Sequence, residues 1–121
     1  MSFETALFGR LSSQLTTSVG TRIYPAVAPQ TATLPYIVYR KVSANKQYAH
    51  SGPLSLTFDR VQVSVFSTGY LAGKTIAGNA ITALEGWTDA QAVFKANELD
   101  LYEPDEKIFH TPVDFLIWHN L

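Results

Sequence analysis

The residues with the strongest hint of chemistry are Gly69-Tyr70-Leu71-Ala72-Gly73-Lys74-Thr75, which follow a valine-rich segment and open a helical pattern, as a nucleotide phosphate loop would. The spacing argues against it. A phosphate loop needs four residues between its glycines so that successive backbone N–H groups wrap the phosphates, and here there are three. No second strand ends in an acid suited to hold magnesium. The segment therefore reads as a plain strand-to-helix turn with an exposed Lys74.

His50, His110 and His119 are the only histidines. No two stand at an i, i+4 spacing or beside a carboxylate pair that would complete a metal site. His119 lies five residues from Asp114, an odd separation that sends the two side chains of a strand to opposite faces. All three read as surface or half-buried structural residues. Glu98 and Asp100 would share one strand face as an acid/base pair or a cation site, but Leu99 and Leu101 alternate with them toward the core, so a solvent face is the better reading. No G-x-S-x-G elbow or other nucleophile context occurs. No catalytic residue, cofactor-binding residue or metal ligand is assigned, and the chain is not expected to be an enzyme.

The elements that would carry such residues follow from length and pattern. A chain of 121 residues is the size of one domain, so residues 1–121 are expected to form a single core. There is no cysteine, hence no disulfide framework, thiol nucleophile or cysteine-based zinc site. The net charge is −1, and the nine basic residues are scattered apart from the pair Arg40-Lys41, so no stripe advertises binding to a phosphate backbone. No run of eighteen apolar residues occurs, and neither export nor membrane insertion is expected.

Phe3, Leu7, Leu11 and Leu15 step by four and predict an amphipathic helix from Ser2, as N-cap, to about Val19, with Gly20 as the stop. Thr21 to Pro35, with three prolines, reads as an irregular crossing with a short strand near Ile23-Tyr24. Tyr36–Val42 and Leu54–Ser67 read as strands; the second changes apolar phase, which a bulge near Asp59 and Arg60 would reconcile. Tyr70–Glu85 is the second helix, with Thr68 as N-cap, Leu71 on its apolar face, and Gly73 and Gly78 permitting close approach to a neighbour. Val93–Tyr102 and Lys107–His119 read as strands joined at the acidic turn Glu103-Pro104-Asp105-Glu106. Trp118 is expected in or near the core, or under a neighbouring subunit. The fold class is α+β: a mixed, mainly antiparallel sheet of four to five strands with two helices packed on one face.

Between the two long strands, Ser43–Pro53 reads as a connection of about eleven residues, where a hairpin is normally closed by two to five. Asn45, Lys46, Gln47, Tyr48 and His50 offer hydrogen bonding around one aromatic anchor, and are the candidate assembly contacts.

The order of these elements resembles the tail-completion proteins of long-tailed, siphovirus-type bacteriophages, the tail-to-head joining and tail-terminator group. The resemblance is carried by the first helix, Thr21-Arg22-Ile23-Tyr24-Pro25, Leu34-Pro35-Tyr36-Ile37-Val38-Tyr39 and Arg60-Val61-Gln62-Val63-Ser64-Val65-Phe66. It continues through the second helix and Asp100-Leu101-Tyr102-Glu103-Pro104 to Asp114-Phe115-Leu116-Ile117-Trp118-His119, and is least clear over Thr88–Ala96. It implies a structural virion protein made in the host cytoplasm and placed at the head-proximal end of the tail. Its partners would be further copies of itself in a ring of about six, the tail tube protein and the head-completion or connector protein, with DNA passing through the ring without specific binding. The alternatives are a phage-encoded regulatory or inhibitory binding module and a small nucleotide-binding protein.

Overall fold

A computed structural model of the chain describes residues 2–50 and 52–120, apart from the side chains of residues 47–49 and 53–55. The first helix, α1 (Phe3–Val19), begins where expected: the Ser2 Oγ accepts a hydrogen bond from the Thr5 amide at 3.2 Å. It ends at Gly20, whose φ of 62° suits a residue without Cβ. Leu7, Leu11 and Leu15 are buried, each worth roughly 1.5–3 kcal/mol relative to exposure.

After α1 come β1 (Ile23–Pro25), β2 (Tyr36–Ala49), β3 (Gly52–Ser67), α2 (Tyr70–Glu85), β4 (Ala92–Glu98), β5 (Leu101–Glu103) and β6 (Ile108–His119). The sheet has six strands, slightly more than expected, in the order β1-β2-β3-β6-β4, with β5 also paired to β6. Only the β1–β2 pairing is parallel. Both helices cover one face. There Ile37, Tyr39, Val61, Val63, Val65, Val113, Phe115 and Ile117 meet the leucines of α1 and Ile76, Ala80 and Leu84 of α2 in one core.

Ser43–Pro53 is not a loop. β2 runs to Ala49 and β3 starts at Gly52, so the two strands form a long hairpin closed at its tip. The anticipated bulge also lies elsewhere. β3 pairs with β6 without interruption from Thr57 to Ser67, whereas on β2 the register shifts between Lys41 and Ser43, leaving Val42 as the extra residue opposite Arg60 and Val61. β3 itself keeps one phase, but its inward position 59 is an aspartate, which makes the apolar pattern seem to jump faces.

α2 spans Tyr70–Glu85 and stops at Gly86 as expected, and departs from expectation at its start. Gly69, not Thr68, is its N-cap, and no side chain caps it. Leu71 is 77% exposed. Of the two interior glycines only Gly73 serves a close approach: a Cβ there would lie 2.6 Å from the Ser67 Oγ, while one on Gly78 would meet nothing within 4 Å. The single strand expected over Val93–Tyr102 is broken into β4 and β5 at Leu99-Asp100, and Leu99 and Leu101 are about half exposed instead of facing the core.

Candidate assembly interface

The five candidate contact residues lie on the hairpin. Asn45, Lys46, Gln47 and Tyr48 belong to β2, and His50 is in the turn. Asn45, Lys46 and His50 are exposed; the side chains of Gln47 and Tyr48 are outside the described part. The last rung shared with β6 is Lys46–Thr57–His119; beyond it, among the described residues, Tyr48 pairs with Pro53 and Ala49 with Gly52, so the end of the β2–β3 hairpin runs past β6 as a two-stranded arm. With five residues from Thr57 to Gly52, the arm extends roughly 17 Å. An isolated two-stranded hairpin is marginally stable in water, so an arm of this kind gains order from whatever packs on it.

At the base of the arm the sheet holds a buried charge cluster. His119 Nε2 lies 2.7 Å from Asp59 Oδ2, and both side chains are almost fully buried. Lys41 Nζ is 3.5 Å from the same Asp59 oxygen and 2.6 Å from Glu4 Oε1. The hydrogen bond from Lys41 holds the Glu4 carboxyl below the usual range. Burial alone would lower Lys41, but its bond to Glu4 and the Asp59 charge outweigh that and hold it above its ordinary value. Phe3 stacks on the His119 ring at 4.0 Å, so the first turn of α1 is pinned to the root of the arm. This places Asp114 and His119 on opposite faces, as their spacing required, and brings His119 to a carboxylate 60 positions away in sequence that no local pattern reveals.

A second cluster joins α2 to the β4–β5 break. Lys74 donates to Glu98 and, at 3.0 Å, to Asp100; Tyr70 donates to Asp100 at 3.0 Å; Lys95 pairs with Glu98 at 2.7 Å. Lys74 is therefore a clamp, not a loose surface charge, and its bonds hold the Glu98 and Asp100 carboxyls below their usual range. The same bonds, from Glu98 first and Asp100 second, raise the Lys74 ammonium.

The sheet face without helices carries aromatic contacts at both ends. At one end Tyr36 stacks on Phe66 at 4.9 Å and Phe66 on His110 at 4.2 Å. Burial lowers the His110 pKa, with the Glu103 charge opposing. At the other end Trp118 is half-buried against Phe58 at 4.5 Å, so it lies on the open face and not in the core. Between them Arg60 and Gln62 both bond Asp114. Among the described residues no group of three or more His, Asp or Glu side chains could hold a metal ion, and no helix is long and apolar enough to cross a membrane. A groove of about 480 Å³ lies outside α1 between Phe8, Arg10 and Trp87, and its arginine is committed to the Ala83 carbonyl at 2.8 Å.

Residues 5–120 match the family model described as Tail completion protein gp17, and the chain belongs to that family. Its membership makes it a tail structural protein. A chain in the virion of a native gene transfer agent particle has the same fold: TM-score 0.79 at 17% identity, covering 97% of this chain and 93% of that one. No curated protein matches the sequence.

Proposed function

We propose that the chain works as one 121-residue unit, without catalysis, to cap the phage tail tube as a ring of about six copies and to join the tail to the head connector. It would be made in the host cytoplasm and reside at the head-proximal end of the tail. The observation that carries this reading is the end of the β2–β3 hairpin, which among the described residues has no strand partner beyond the Lys46–Thr57–His119 rung, in a member of the tail completion family. A structural part that must meet further copies, the tube and the connector needs contact surface beyond its own core, and the arm supplies it. The mild net charge of −1 suits a ring through which DNA passes without being held by counterion release.

Replacing Lys46–His50 by a glycine-serine linker tests this. The altered protein is expected to fold and melt as before while heads and tails fail to join. Normally joined, infectious particles would reduce the arm to a connection and remove the main support for the reading.

A further inference from the structure

We infer that the outer edge of β4 in one copy pairs with the outer edge of β2 in the next, so that copies join into one continuous antiparallel sheet; this rests on the ring reading and names the contact that would build it. β4 ends the order β1-β2-β3-β6-β4, and its outer side meets no described strand. At the opposite side β1 covers β2 only at Ile37–Tyr39, which leaves Arg40–Ala44 without an outer strand among those described. No loop backbone bonds to either stretch among the described residues. Open edges of this kind are templates for an added strand.

Level, direction and irregularity make the two edges partners. Val93, Phe94 and Asn97 of β4 lie on the same rungs of the sheet as Ala44, Ser43 and Arg40 of β2, by way of Ile117–Asp59, Leu116–Arg60 and Asp114–Gln62. A neighbour set beside the sheet without sliding therefore brings the open stretches side by side. β4 runs antiparallel to β6, β6 to β3 and β3 to β2, so β4 against the next β2 extends the same alternation. Each edge is also bulged: β2 has one extra residue, Val42, between Lys41 and Ser43, and β4 has one extra, Ala96, between Lys95 and Asn97. A regular strand laid on either edge loses register at the bulge. Laid on one another the two edges keep it, because Phe94 to Asn97 and Ser43 to Arg40 span the same number of residues. Residues 93–97 then match residues 44–40 one for one.

The side chains agree with this register. Lys95 comes opposite Val42 and Lys41 opposite Ala96, so like charges do not meet. Lys41 and Lys95 keep their own carboxylates, Glu4 and Glu98. Val42 and Phe94, 49% and 55% exposed, stand on the seam, where the added strand shields them from water. Just beyond it the exposed Lys46 comes level with Gln91, beside the turn that carries the exposed Asp89.

Within one copy β3 and β6 separate the two edges by about 14 Å, so the pairing joins different copies. A contact between two different surfaces is heterologous, and when its rotation closes it produces a ring.

The chain has no cysteine, so introduced cysteines report unambiguously. Ser43 and Phe94, both exposed, come directly opposite, within reach of a disulfide. Ser43→Cys and Phe94→Cys proteins, each checked for an unchanged circular dichroism spectrum and melting temperature, are mixed under assembling conditions and mildly oxidised with copper phenanthroline. Arg40→Cys with Asn97→Cys replaces this pair should either protein not fold. The mixture is expected to give several-fold more disulfide-linked dimer than either variant alone, and a protein carrying both cysteines a ladder ending at the ring size. Ser43→Cys mixed with Asn97→Cys, which is out of register, is expected to stay near background. Rings seen by native mass spectrometry without the mixed disulfide would overturn the edge contact and leave the ring standing. Equal linking in the out-of-register mixture, or preferential linking of either variant to itself, would overturn it as well. Absence of any oligomer, both in solution and in purified tails, would overturn the contact and the ring together.

Discussion

Asp59 and His119 meet across neighbouring strands with 2.7 Å between carboxylate and imidazole, at the point where the sheet narrows to the arm. A buried charge that loses its nearest partner is strongly unfavourable, so His119→Ala, which leaves the buried Asp59 carboxylate only the more distant Lys41, is expected to cost about 3 kcal/mol in chemical denaturation. Lys41→Met, which removes a more exposed and more distant partner of Asp59, should cost clearly less. Equal losses would mean that the cluster is held by Lys41 and not by the imidazole.

The two glycines of α2 should respond in opposite senses to alanine. Gly78→Ala gains helix propensity with no steric contact and is expected to stabilise by about 1 kcal/mol. Gly73→Ala drives its Cβ onto the Ser67 Oγ, which already bonds the Gly69 carbonyl at 2.7 Å, and should destabilise by about 1–3 kcal/mol. Combining it with Ser67→Ala removes the clashing oxygen and should recover part of the loss. Melting curves of the four proteins decide it.

Lys74→Met should be pH-dependent in its effect. The Glu98 carboxyl is held below its ordinary value of 4.5 by the bonds from Lys74 and then Lys95, so the stabilisation it gains is complete above about pH 4.5 and is lost as pH falls through the lowered value. At pH 7 the Lys74–Glu98 pair is expected to contribute roughly 0.5–1 kcal/mol. The difference between wild type and Lys74→Met should shrink as the solution is acidified below pH 4. A difference that stays constant from pH 7 to pH 3 would show that the side chain acts through packing instead.

Trp118 and Phe115 test the distinction between the two faces of the sheet. Phe115 is fully buried under the helices, and Phe115→Ala should cost about 3–5 kcal/mol. Trp118 is half-buried on the open face, so Trp118→Ala should lose mainly its contact with Phe58 and cost roughly 1–2 kcal/mol. Equal losses in urea titrations would contradict the assignment of Trp118 to the open face.

What the amino-acid sequence discloses here is what local periodicity can carry. The leucine spacing of α1, its Ser2 cap and its Gly20 stop are written in adjacent residues and were legible. So were the α+β class and the short strand at Ile23. The hairpin was not, because Ser43, Ala44, Asn45 and Lys46 are exposed, and a strand stretch that buries no face has no reason to alternate apolar and polar residues and so resembles a loop. The inward position at 59 was misread for a related reason: an aspartate stands where the pattern calls for a valine, and its partner His119 is 60 residues away. Leu99 and Leu101 looked like core residues because alternation does not tell which face of an edge strand is covered. The contacts Lys74 makes with Glu98 and Asp100 depend on how α2 lies against β4 and β5, which only the tertiary fold specifies.

The proposed role stands or falls most directly on the number and arrangement of copies at the head-proximal end of assembled tails. Cryo-electron microscopy of purified particles, reconstructed around that end, is expected to show a closed ring of about six copies of this chain between tube and connector. A single copy per particle, or copies elsewhere on the virion, would contradict it.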